Sequence, residues 1–547
     1  MAGIETVEMD KDYKDMGKGS FWLFIGLFLG RFLGIIFTII IARLFPLEEV
    51  GIYYLAFSVI SLFTVFTGFE FVSTLQTYGA YYNGSGKTDH LRKLVKLSFI
   101  LGAITSIITF AFFIFFSKDI SLYFGNTQVS SPLKILAIYF ILNSFFGLAI
   151  AFVTVFRLMK EVSITQISQL VSKILLIPVV LYFFGANAAS LSLIFIISFS
   201  IGVIISLYYF FILYKSIEKP RIEKITYSQL IMELLPFTSA IIITNIISTV
   251  FSSSDRILLG YFMEPISSAS LIAVYSISLG FGTFLQIFSS AIGGIFIPII
   301  ASIHGRDEKD FSKINNLTNS STKWSFLATG PLFLFFMIYP SEILGTLYGP
   351  DYSSGGSTLF LIILGFLFFT LGYSQKNAFS ALKRADLGFK ITIVGVISNI
   401  GLNLMLIPRL GIEGAAFSFM FFYFVTSILA AYYSKKFFGF NFSSWLLPFF
   451  GFFLFLFVTL SFVRVSLFSV INSFIASPFS SFGLSHFSVF FVLGLLFLFM
   501  TSIYVVGAVY LRLLDRNDIK LLSSFLRKLK VPSYFINIVN KLPYSES

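Results

Sequence analysis

Roughly fourteen apolar stretches of about twenty residues, joined by short charged connections, leave this chain almost no choice of fold. Hydrocarbon offers no partner to a backbone N–H or C=O, so a stretch of that length crosses a bilayer as an α-helix that satisfies its own backbone. The stretches lie near 20–45, 50–76, 94–117, 133–156, 163–184, 188–214, 234–257, 269–299, 322–340, 357–380, 390–408, 412–436, 445–468 and 484–511. With 57% hydrophobic residues, 12% charged and 74 Phe, the chain has more apolar surface than a water-soluble core could bury. The expected class is therefore all-α, a polytopic membrane protein with about 14 transmembrane helices. The first stretch is too long for a secretory signal, has acidic residues upstream and lacks a small-residue cleavage site, so it is expected to stay as a span. Without Cys, disulfides, thiolate chemistry and Cys-ligated metals are excluded.

Charge predicts the orientation. Taking the connections alternately, 29 of the 38 Lys and Arg fall on one side, among them Lys11, Lys14 and Lys18, then Arg92, Lys93 and Lys96, and seven after residue 511. Only Arg43, Lys118, Lys134, Arg409 and Arg464 fall on the other, and Arg31, Lys173, Arg256 and Lys376 lie within or at the ends of spans. Such a bias places both termini in the cytoplasm of a cell-membrane protein. The net charge of +12 follows from topology, and no nucleic-acid partner is needed to explain it. In the tail, Ile519, Leu522, Leu526 and Leu529 make an apolar face beside Arg516, Lys520, Arg527 and Lys528, the pattern of a helix lying on anionic lipid.

Polar groups inside the spans are the candidate functional residues, because an unpaired one facing lipid costs roughly several kcal/mol. Along residues 234–262, Thr238, Asn245, Thr249, Ser252 and Arg256 recur near one helical face, flanked by Ser248 and Asp255, and must face partner helices or a wet cavity. In the first span Gly26, Gly30, Gly34 and Thr38 recur every four residues, with Arg31 beside them near mid-membrane. A lumen-facing role for Arg31 competes with simple pairing to a carboxylate. The second span carries Thr67, Glu70, Thr74 and Thr77, where Glu70 is a counter-ion or proton acceptor, or only the partner of a basic residue. Lys173 precedes Pro178 by five residues, and a proline kink would free carbonyls toward a cavity; a structural ion pair is the alternative. Lys376 lies in the inner half of the tenth span, so that Lys376 inside, Arg31 and Lys173 at the centre, and Arg256 and Arg43 outside form a ladder of cations across the bilayer. The expected substrate-binding residues are Arg31, Lys173, Asn245, Arg256 and Lys376, with Glu70 and Asp255 as coupling or counter-ion groups. No nucleotide-binding loop or zinc helix occurs, so no cofactor or metal is expected and the chain is not read as an enzyme.

An internal repeat is also visible. Ala56–Leu62 (AFSVISL) matches Ala273–Leu279 (AVYSISL) at an offset of 217, and Gly185–Ser192 (GANAASLS) matches Gly411–Ser418 (GIEGAAFS) at 226. Both pair span n with span n + 6, and because six is even the copies keep one orientation, the parallel-repeat design of some transporters. The expected organisation is a cytosolic segment 1–19, an N-lobe 20–216, a linker 217–233, a C-lobe 234–437, two further helices in 438–512 and a basic tail 513–547, with the two six-helix lobes around a central cleft. By the second offset Lys173 corresponds to Asn399.

Three segments in order carry a family resemblance: Pro236 through Ser254-Asp255-Arg256-Ile257 to Ala273-Val274-Tyr275-Ser276; Leu344-Gly345-Thr346-Leu347-Tyr348-Gly349-Pro350-Asp351-Tyr352; and Asn399–Asn403 leading into Ile407-Pro408-Arg409-Leu410-Gly411-Ile412-Glu413-Gly414. They resemble the polysaccharide-transport (O-antigen flippase-like) branch of the multidrug/oligosaccharidyl-lipid/polysaccharide exporter superfamily. The resemblance implies translocation of a lipid-linked oligosaccharide from the inner to the outer leaflet by alternating access, with glycosyltransferases or a polymerase of the same pathway as partners. It carries over no universal catalytic residue. Fixed cations would replace the hydration of a phosphate or pyrophosphate head group, and an inside-negative potential favours its outward movement by about 2.3 kcal/mol per charge per 100 mV. A cation-coupled drug antiporter shares the resemblance but calls for a cleft dominated by acidic groups, and a polysaccharide polymerase or ligase calls for a sizeable outer loop.

Overall fold

The computed structural model describes residue 22 and residues 25–511, apart from 69, 218–224, 307–310, 443–444 and 482–484, together with Ile519, Ser523, Tyr534 and Asn537 beyond them. Most of the basic tail, the first cytosolic segment and the side chain of Glu70 lie outside the described residues. The helices are α1 (Ile25–Leu44), α2 (Leu47–Phe63), α3 (Glu70–Gly84), α4 (Thr88–Tyr123), α5 (Ser130–Val155), α6 (Met159–Phe184), α7 (Ala188–Ser216), α8 (Tyr227–Phe262), α9 (Pro265–Gly282), α10 (Gln286–Arg306), α11 (Phe311–Ile338), α12 (Pro340–Tyr348), α13 (Gly356–Ala381), α14 (Ala385–Leu410), α15 (Ile412–Phe438), α16 (Leu446–Ser481) and α17 (Ser485–Tyr510). No strand occurs among the described residues. Thirteen helices among them are long and apolar enough to cross a membrane, or fourteen when α11 and α12, bent by 85° at their junction, count as one span. The chain is an all-α, multi-pass membrane protein.

Two expected spans are broken rather than continuous. The second is interrupted by a 3-10 turn at Thr64–Phe66, and the eighth by another at Thr283–Leu285. At the first break the Thr64 and Thr67 hydroxyls donate to the carbonyls of Ser61 and Thr64, local bonds that compete with the helical ladder, and Gly68 takes φ 69° with its Cα face against Gly102. At the second, the Thr283 hydroxyl donates to Gly280 O at 2.7 Å. The connection expected after residue 468 is instead a continuation of α16 to Ser481. Span nine begins at 311 rather than 322, so that Lys323, expected in a cytosolic connection, is a buried residue within α11.

The repeat is written into the backbone. The breaks at 64–66 and 283–285 fall within two residues of the places that the 217 offset makes equivalent. Gly185 and Gly411, aligned from sequence, both adopt positive φ, 74° and 57°, in the turns before α7 and α15. The two non-glycine residues with positive φ among the described residues, Arg157 (60°) and Lys383 (58°), are separated by the same offset of 226 and end α5 and α13.

By packing, the chain divides into one unit of residues 1–287 with 396–418 and another of 288–395 with 419–547. In the first, the Asn187 side chain caps α7 by accepting from Ser190 N at 2.9 Å, and a Thr226–Gln229 capping box starts α8. In the second, α17 lies on α11, where the Tyr504 hydroxyl donates to Phe326 O at 3.1 Å and approaches Gly330 so closely that a Cβ there would lie 2.2 Å from the phenol oxygen.

Candidate functional site

Arg31 opens onto a cavity. Gly30, Arg31, Gly34, Ile35 and Thr38 of α1 face Gly280 of α9 and Thr283 and Phe284 of the 3-10 turn across a space of about 230 Å³. Gly30 and Gly34 leave room on this face between the side chains of Arg31, Ile35 and Thr38, and a Cβ added at Gly34 or Gly280 would meet nothing within 4 Å. The break at 283–285 supplies the opposite wall. Arg31 is exposed to this space, and its Nη1 donates to Thr283 Oγ1 at 3.3 Å, the single hydrogen bond it makes among the described residues. Among the described residues most guanidinium donors are therefore uncommitted, and they line a space where a planar, oxygen-rich anion can be held.

Asp255 is the opposite case, a carboxylate 4% exposed and fully engaged. Asn403 Nδ2 donates to its Oδ1 at 2.6 Å, the Tyr275 hydroxyl donates to its Oδ2, and the Ser254 hydroxyl lies 3.5 Å from Oδ1. Asn403 also donates to Asn399 Oδ1 at 3.3 Å, yet Asn403 Oδ1 and Asn399 Nδ2 are buried with no hydrogen-bond partner. A lone carboxylate faced by an amide nitrogen and two hydroxyls, with the unmet Asn403 Oδ1 on the same amide, is a candidate for a proton or a small monovalent cation. No group of three or more His, Cys, Asp or Glu that could hold a metal occurs among the described residues.

The cation ladder expected from sequence is not one site. The Lys173 ammonium lies 3.9 Å from the ring centroid of Phe37 and 4.9 Å from that of Phe195, turned against aromatic faces rather than toward Arg31 and its cavity. Arg256, expected near a head group, is committed to protein: Nε donates to Ser276 Oγ at 3.0 Å, and Nη1 to Ser58 Oγ at 3.3 Å and Ser252 O at 3.4 Å. At that depth hydroxyls on neighbouring helices take the place of water. Lys376 belongs to the second unit and donates to Thr392 Oγ1 at 3.2 Å. Asn245 Nδ2 is buried without a hydrogen-bond partner. Thr283, Tyr275 and Asn403 were missed from sequence. The i, i+4 spacing of Asn399 and Asn403 inside an apolar run was the available signal for that amide face.

Residues 16–304 match the family described as polysaccharide biosynthesis protein. An uncharacterized membrane protein of Methanocaldococcus jannaschii is 23% identical over 439 residues, covering 78% of this chain and 85% of that protein. The probable flippase AglR of Haloferax volcanii is 28% identical over 183 residues, 33% of this chain and 37% of its own length. Among solved structures, the lipid II flippase MurJ in an inward closed conformation aligns with a TM-score of 0.58 at 16% identity, covering 89% of this chain and 99% of that one. An inward-facing multidrug resistance MATE transporter aligns with a TM-score of 0.61 at 12% identity over 75% and 94% of the two chains. The family match spans more than half of the chain, and this protein belongs to the polysaccharide biosynthesis protein family.

Proposed function

We propose that the protein is a flippase that carries a lipid-linked oligosaccharide from the inner to the outer leaflet of the cytoplasmic membrane by alternating access of two lobes, 20–216 and 234–437. The observation that carries this reading is the Arg31 cavity, a guanidinium with one hydrogen bond among the described residues facing a space of about 230 Å³. That volume is below what a drug-sized molecule fills, so the cavity suits a phosphate or pyrophosphate head group while sugars and lipid tail lie outside it. The family match and the flippase names of its relatives support the substrate class, and the one-sided basic connections support cytoplasmic termini. Asp255 serves as the coupling group, neutralised by a proton or a small cation during the cycle. Glycosyltransferases or a polymerase of the same pathway would supply and consume the cargo.

In proteoliposomes, Arg31→Ala abolishes movement of a fluorescent polyprenyl-pyrophosphate sugar. Arg31→Lys keeps the charge, loses the bidentate fork, and lowers transport by about tenfold. Wild-type transport and lipid-pyrophosphate binding by folded Arg31→Ala would reject the reading. The buried Asp255 favours one rival, a cation-coupled antiporter; efflux of small cationic drugs by the same liposomes, without movement of the lipid-linked sugar, would favour it instead.

A further inference from the structure

Two consecutive residues on α8 meet two consecutive residues on α9. The Tyr275 hydroxyl donates to Asp255, and the neighbouring Arg256 Nε donates to Ser276 Oγ at 3.0 Å. Arg256 then reaches across to α2, where its Nη1 donates to Ser58 Oγ at 3.3 Å. Asp255 is thus joined, through one peptide unit and one guanidinium, to the place where the repeat copies touch.

That place is shut. A Cβ at Gly51 of α2 would lie 1.6 Å from Ala269 O of α9, so the two backbones are in contact. A Cβ at Gly260 of α8 would lie 2.7 Å from Leu55 of α2. At the end of α4 the Tyr123 ring stacks on Tyr261 of α8, with centroids 5.1 Å apart at 20°. No head group passes between helices packed this closely.

We propose that these contacts form a gate, at the membrane face expected to be outer, whose closure is set by the charge of Asp255 with Arg256 as the lever. The inference rests on the flippase reading for its purpose, but not for its test. While Asp255 is ionised, the Arg256 charge is compensated by its neighbour and the guanidinium stays among the hydroxyls of Ser58 and Ser276. Once Asp255 is neutralised, Arg256 becomes a cation held only by neutral acceptors, and opening the gate relieves it by admitting water. The other ionisable groups facing the pair among the described residues are Tyr275, against Asp255, and Tyr54 of α2, near Arg256; the α14 face presents only the amides of Asn399 and Asn403.

The native chain has no Cys, so Tyr123→Cys with Tyr261→Cys gives a clean cross-linking pair for a short bifunctional thiol reagent. Cross-linking is expected to be efficient in the otherwise native protein. It should fall by about tenfold with Asp255→Asn, since the half-buried guanidinium then loses the attraction of the neighbouring carboxylate and keeps only neutral acceptors. It should recover when Arg256→Gln is added, because the stranded cation is gone, and Arg256→Gln alone should leave the gate closed. Equal cross-linking in the parent and Asp255→Asn, or no recovery in the double variant, overturns the proposal. If Asp255→Asn does not fold, the pair is read in the parent during acidification through the carboxylate range, where a flat yield overturns it. No substrate enters this assay, so a responsive gate in a protein that moves no lipid-linked sugar would reject the flippase reading alone.

Discussion

Lys173 and Asn399 stand at corresponding places in the two copies of the repeat, each against the first span of its own copy. Lys173 lies over the Phe37 ring of α1, while Asn399 lies 3.5 Å from the Ser254 hydroxyl of α8, beside Asp255. One copy therefore holds a tethered cation against apolar π faces, and the other holds a tethered anion among amides and a phenol. The backbone around them is shared, down to the positive φ at Gly185 and Gly411 and at Arg157 and Lys383. A duplicated scaffold has kept its turns and reversed its polarity. The two copies therefore differ in the sign of the charge that each holds within its spans.

The largest test of this contrast is Asp255→Ala. It removes the buried acceptor of the Tyr275 hydroxyl and of the Asn403 amide, at about 1 kcal/mol or more for each lost bond, and thermal melting in detergent should show a marked loss of stability. A melting point unchanged from wild type would mean that water already satisfies the cluster. Lys173→Met should cost far less, no more than about 2 kcal/mol, because it keeps the stem and gives up only the attraction to the rings. Destabilisation as large as that of Asp255→Ala would reveal a carboxylate partner for Lys173 and remove the asymmetry between the copies. The smallest effect probes what the copies share: Gly185→Ala and Gly411→Ala should each cost about 1–3 kcal/mol, since both place a Cβ on backbone of positive φ. A clear difference between the two would show that the turns are not equivalent.

The helices were legible because a run of twenty apolar residues has one stable conformation in hydrocarbon, and the repeat was legible because turns need particular residues such as Gly185 and Gly411. The breaks at 64–66 and 283–285 were not, because the stretches around them are as apolar as any span and the interruption comes from local Thr bonds and from neighbours such as Gly102. Arg31 and Asp255 stood out as charges within apolar runs. Their partners did not, since Thr283 is 252 residues from Arg31 and Asn403 is 148 from Asp255.

From sequence alone came the membrane class, the number of spans, the duplicated plan and the short set of charges that cannot face lipid, all properties carried by local composition and period. Which of those charges is free and which is spent was decided only by tertiary structure. Arg31 and Arg256 are the same residue in corresponding spans of the two copies, yet one faces open space with one bond and the other is held by three. The difference lies in what stands opposite: the glycine face of α1 and the break at Thr283 leave a cavity around the first, while Ser58 and Ser276 close over the second. A guanidinium takes whatever acceptors the packed helices bring within reach, and that distance is set by the whole fold.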